Sequence, residues 1–169
     1  TTFFPTIEQD NIGITIEMPP GTRDVITEGV LDYLVESAYK VNADLKADRE
    51  DGEDVVINIE KIVGPNTNQG SINIQLLNPE QRAMSVFDIN QALRNEVGVI
   101  PEIDKMLFGV ATPFGKPFSV SMRSNNLEQL QGAKDVLKKE LDNIADLSDV
   151  ADNDQRGIKE INIELKDKA

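Results

Sequence analysis

Apolar and polar residues alternate strictly from Ile12 to Met18, where Ile12, Ile14, Ile16 and Met18 are separated by Gly13, Thr15 and Glu17. A period of two places the four apolar side chains on one face of a strand and the polar ones on the other. Pro19, Pro20 and Gly21 stop that strand, and Thr22 is placed to cap a helix with Asp24 in its first turn. The helix is expected over 22–41, with Ile26, Val30, Tyr33, Leu34, Ala38 and Val41 as its apolar stripe. The charge-rich run over 44–54 lacks such a stripe. Val55 to Val63 reads as a second strand and Ser71 to Leu77 as a third, joined by the polar turn Gly64-Pro65-Asn66-Thr67-Asn68-Gln69-Gly70 as an antiparallel hairpin.

Asn78-Pro79 breaks the third strand, and Ser85 with Asp88 three residues on opens a second helix. Val86, Ile89, Leu93 and Val97 form its stripe, and Gly98 ends it. A fourth strand is expected over 100–112. Strand, helix, strand, strand, helix, strand is the split βαβ, ferredoxin-like order of an α+β fold. Residues 113–117 read as a linker. A second unit then begins with a strand at Phe118, Val120 and Met122, and a helix opened by Asn125 with Glu128. Leu127, Leu130, Leu137, Leu141 and Ile144 line one face of that helix; short strands follow at 147–150 and 158–165. The domain reading is therefore a complete ferredoxin-like subdomain over 1–112 and a partial βαββ subdomain over 118–169. The missing helix and strand are expected in a longer protein, and the open edge of the second unit favours self-association by strand addition.

Charge narrows the partners. The 169 residues carry 30 acidic and 17 basic side chains, a net charge of −13, the wrong sign for nucleic acid. With neither histidine nor cysteine, disulfides, thiolate metal sites and the commonest general base are excluded. No cofactor is expected. The acidic turns at 48–54 and 152–157 fail the calcium-loop spacing, because Gly52 falls at position five from Asp48 and Arg156 occupies position five from Asp152. The 109–116 segment is one residue too long for a phosphate loop. Met18, Met84, Met106 and Met122 read as core filler before they read as a soft-metal site. No run approaches the ~20 apolar residues that span a bilayer.

What remains is the polar side of the strands: Thr15, Glu17, Asn58, Glu60, Asn73 and Gln75 in the first unit, Ser119, Ser121, Asn162 and Glu164 in the second. Such a face is either an ordinary solvated sheet or the wall of a water-filled cleft.

The segment FFPTIEQDNIGITIEMPPGT resembles the stretch that follows a transmembrane helix in resistance-nodulation-division (RND) efflux transporters. GSINIQLLNPEQR is similar to that family's later strand and break, and KPFSVSMRSNNLEQLQGAKDVLKKELDNIADLSDV with INIELKDKA to its next subdomain. The resemblance implies a substrate-guiding fragment from the periplasmic porter region in the second half of a proton-driven pump in the inner membrane, and not an enzyme. Its partners would be a small exported molecule, the pump's membrane helices, a periplasmic adaptor, an outer-membrane channel and two further copies in a homotrimer. The expected substrate path comprises Glu17, Glu60, Gly64, Pro65, Asn66, Thr67, Asn68, Gln69, Gly70, Asn73 and Gln75. One departure stands out: the 64–70 turn is short and has no aromatic residue, so a broad hydrophobic drug pocket does not carry over. From the residues alone, a free-standing ferredoxin-like domain that senses a small molecule is the competing reading.

Overall fold

The computed structural model describes residues 8–109, 118–144, 147 and 149–154. Its elements run β1 (Asn11–Glu17), α1 (Asp24–Ala47), β2 (Val56–Val63), β3 (Gln69–Leu76), α2 (Pro79–Arg82), α3 (Val86–Val97), β4 (Lys105–Gly109) and α4 (Leu127–Asp142). The four strands form one antiparallel sheet in the order β2-β3-β1-β4, so the chain is a mixed α+β protein.

Register explains the two faces. Ile12 pairs with Ile74, Ile14 with Ile72 and Phe108, and Ile16 with Gly70 and Met106. Residues opposite one another point to the same side, so these build one apolar layer, buried with Leu31, Leu34, Ala38 and Val41 of α1 and Val86, Ile89, Leu93 and Val97 of α3. The alternation expected for β1 and β3 holds throughout: Ile12, Ile14, Ile16, Met18, Ile72, Ile74 and Leu76 are all buried. In β2 a register irregularity between Val56 and Asn58 interrupts the alternation and turns Ile57 outward.

Several helix expectations are corrected. α1 begins after Arg23, whose side chain makes no cap bond. Thr22 instead donates from Oγ1 to Pro19 O at 2.7 Å, closing the Pro19–Thr22 turn. The helix runs on to Ala47, because its burial continues through Asn42 and Leu45 into the charged run. Its buried stripe is Thr27, Leu31, Leu34, Ser37, Ala38, Val41 and Asn42, while Ile26 and Tyr33 are exposed. Thr27 tolerates burial because its hydroxyl donates to Thr67 O at 2.6 Å. Ser85 does cap α3, accepting from Phe87 N–H. Between Asn78 and Ser85 lies the short helix α2, capped by Asn78, which the proline break concealed.

Asn42 closes the far end of α1 onto the sheet. Its Oδ1 accepts from the N–H groups of Val55 (2.9 Å) and Val56 (2.8 Å), and its Nδ2 donates to Asp54 at 2.7 Å. The Lys46 ammonium and this amide hold the Asp54 carboxyl below its ordinary range. Asn42→Leu leaves two buried donors without acceptors, so urea unfolding should show a loss of ~2–4 kcal/mol. A loss under about 0.5 kcal/mol would contradict this role.

The fourth strand begins at Lys105 rather than at the expected position 100 and is described to Gly109; positions 110–112 of the expected strand fall outside the described residues. Residues 118–122 form no strand, and Phe118 and Val120 are exposed. Asn126, not Asn125, caps α4, accepting from Gln129 N–H at 3.1 Å. The helix has no buried residue, so its apolar stripe lacks a covering layer among the described residues. Residues 147, 149 and 150 lie outside any strand. The expected linker at 113–117 and strand at 158–165 fall outside the described residues. Asp149 reaches the first unit nonetheless. Both its carboxylate oxygens accept from Arg94 (2.8 and 2.6 Å), and Oδ2 also accepts from Phe108 N–H at 3.1 Å. Arg94 also donates to Phe108 O and lies 4.5 Å above the centre of that ring.

Candidate functional site

The second face of the sheet follows from the same register. Asn11 opposes Gln75, Thr15 opposes Ser71 and Leu107, and Glu17 opposes Gln69 and Lys105. Asn73 opposes Gly13 and Glu60, while Gln75 and Ser71 oppose Asn58 and Ile62 of β2. These side chains are exposed or half-buried. The face expected from the alternation is thus real, and Glu17, Glu60, Asn73 and Gln75 all lie on it.

At one end of this face, where β1 finishes, β4 begins and the hairpin turns, lies a depression of about 290 Å³. Thr15, Glu17, Gly64, Pro65, Gln69, Ser71, Lys105 and Leu107 line it, with the backbone of Ile16 and Gly70 as its floor. The Gln69 amide points at Glu17, its Nε2 3.5 Å from Oε1. Of the expected path residues, Glu17, Gly64, Pro65, Gln69 and Gly70 therefore converge here. Glu60, Asn73 and Gln75 sit further along the open face.

Asn66, Thr67 and Asn68 do a different job. Asn66 donates to the Gln69 side chain at 2.9 Å, closing the turn on itself. Thr67 donates to Thr22 O at 2.9 Å, and Asn68 Nδ2 donates to Met18 O at 2.8 Å. Met18 N–H in turn donates to Asn68 O at 2.7 Å. These bonds strap the hairpin to the β1–α1 connection, and that fixes the rim of the depression. The polar composition of the turn reflects this anchoring as much as any contact with a ligand.

Five lining residues were not among the expected path: Thr15, Ile16 and Ser71 on β1 and β3, and Lys105 and Leu107 on β4. The last two are the least legible. Their place depends on β4 pairing with β1, a contact between residues about ninety positions apart that no local pattern reports. The irregular 100–112 segment gave the only hint, a lysine followed by an apolar run.

Chemically, the depression offers hydrogen-bond donors and acceptors, one carboxylate, one ammonium and one apolar wall. Among the described residues no group of three or more Asp or Glu is placed to hold a metal ion. Met18 is buried, and Met84 and Met106 pack against the core, in keeping with a filling role. No described helix is long and apolar enough to cross a membrane. No family model matches this sequence, and no curated protein matches it.

Proposed function

We propose that the open sheet face is a ligand-binding surface and that the chain is a porter segment of an RND-type exporter. It would guide a small molecule along this face without chemical transformation. The observation that carries the reading is the depression where Glu17, Gln69 and Lys105 meet beside the anchored 64–70 turn. The order of elements and the antiparallel β2-β3-β1-β4 sheet support a ferredoxin-like first subdomain. The resemblance of the segments around Phe3–Thr22 and Gly70–Arg82 to RND porter sequences supports the transport role. On this reading the segment lies in the periplasm, as part of an inner-membrane pump working with an adaptor and an outer-membrane channel.

The test is efflux of a fluorescent substrate by the full-length gene product in cells, with Glu17→Gln, Asn73→Leu and Gln75→Leu made singly. Each should lower the efflux rate at matched expression by roughly fivefold, the worth of one hydrogen bond. Unchanged efflux in all three overturns the reading. Ligand binding by a gene product that transports nothing would instead return the free-standing sensor.

A further inference from the structure

Glu17 and Lys105 occupy directly opposed positions on β1 and β4, facing the depression. Opposite charges so placed ordinarily close on one another, yet no ion pair joins them. The Lys105 ammonium has no hydrogen-bond or ion-pair partner among the described residues, and Glu17 has only the 3.5 Å contact from Gln69. Two complementary charges therefore stand side by side, half-buried, each with bonding capacity unspent.

Resting on the proposed binding face, we infer that this pair recognises a compact zwitterion, one carrying an ammonium and an anionic oxygen group on a short skeleton. Glu17, oriented by Gln69, accepts from the ligand's ammonium; Lys105 donates to its phosphate or carboxylate, with Ser71 within the same depression. Charge selects this class over the simpler ones. A purely anionic ligand meets a chain of net charge −13 and the Glu17 carboxylate. A purely cationic ligand is drawn to Glu17 but leaves Lys105 without a partner, and Lys105 is the only basic side chain on the paired positions of the open face among the described residues. Leu107, on the same wall, accommodates a short apolar tail next to the charged head.

The test is an NMR titration of the 169-residue chain, following the backbone amides of Glu17, Gln69 and Lys105. The probes are phosphoethanolamine, lysophosphatidylethanolamine micelles, β-alanine, ethanolamine, inorganic phosphate and glycerol. Saturable shifts are expected with phosphoethanolamine or β-alanine, and binding about tenfold or more weaker with ethanolamine or phosphate alone. Glu17→Gln and Lys105→Met should each weaken zwitterion binding about tenfold, and Glu17→Lys combined with Lys105→Glu should restore it. A tighter response to the micelles assigns a lipid headgroup as the source; a tighter response to the free compounds assigns a soluble molecule. Ethanolamine or phosphate binding as well as phosphoethanolamine, or variants that bind unchanged, overturn the inference. Shifts with glycerol and none with any zwitterion sink it while sparing the binding face. Silence of the whole face toward every probe sinks both.

Discussion

Arg82→Met should lower the free energy of unfolding by roughly 3–4 kcal/mol, a large share of the ~5–15 kcal/mol typical of a domain. The Arg82 side chain is fully buried, and its guanidinium joins three stretches of chain. Nε donates to Met84 O at 2.8 Å, Nη1 to Leu77 O at 2.8 Å, and Nη2 to the Glu8 carboxylate at 2.6 Å. Asp10 lies 3.4 Å from Nη1. The end of β3, the entry to α3 and the approach to β1 are thus held at one point. Methionine preserves length and apolar bulk but orphans both carbonyls. Glu8 is 38% exposed, so water can solvate its carboxylate, and most of the cost falls on those carbonyls. Urea unfolding at neutral pH measures it, and a change below about 1 kcal/mol would refute the account.

The same site carries an acid-side signature. The Glu8 carboxyl is held below its ordinary value of 4.5, first by the N–H of Val86, then by the Ser85 hydroxyl and the Arg82 guanidinium, against an opposing effect of burial. A carboxyl depressed in the folded state binds its proton more readily when unfolded. Its contribution is therefore complete above about pH 4.5 and is lost as pH falls through the lower folded value. Glu8→Gln should remove this part of the acid dependence. Arg82→Met should remove only some of it, because the Val86 hydrogen bond at 3.0 Å persists.

Local patterns carried much of the first unit and little of what anchors it. In β1 and β3 the period of two was enough, because a sheet with one packed face leaves each strand a single workable register. For α1 the apolar residues pointed to Ile26 and Tyr33, yet the helix buries Thr27 and Ser37. Thr27 sits where an alkyl group was expected because its hydroxyl bonds the Thr67 carbonyl, while Ser37 is buried with no hydrogen-bond partner for its hydroxyl among the described residues; hydropathy registers neither. Nothing in NPEQR marks its arginine for the interior; burial there depends on the nearby carbonyls of Leu77 and Met84 and on carboxylates from the distant Glu8–Asp10 segment. On the candidate face, Glu17, Asn73 and Gln75 were legible from alternation alone. Lys105 was not, since strand order decides what stands beside Glu17. In the second unit, alternation at 118–122 forms no strand: alternation selects a face only against a partner strand and a covering layer, and neither lies among the described residues of that unit.

Gly70 is the position where the candidate site and the core meet, and Gly70→Val should destabilise the chain by about 1–3 kcal/mol. Gly70 is buried opposite Ile16 in the register. A Cβ there would come within 2.7 Å of Leu31 Cδ1 and 3.1 Å of Ile62 O. The leucine is fully buried and the carbonyl belongs to the neighbouring strand, so neither can yield without moving α1 or β2. The absent side chain is thus what lets α1 settle close to the hairpin, where Thr27 bonds Thr67. A double-mutant cycle separates this from a generic strand effect. Leu31→Ala alone should cost roughly 2–5 kcal/mol through its cavity, but it also clears the space a new Cβ needs. Gly70→Ala combined with Leu31→Ala should therefore cost less than the sum of the two single changes, with a coupling on the order of 1 kcal/mol. Strict additivity would mean that the close approach of Leu31 is not what reserves this position for glycine. With the coupling present, any substitution that lifts α1 from the hairpin should also shift the rim at Gly64 and Pro65. The core contact would then set the shape of the depression from beneath.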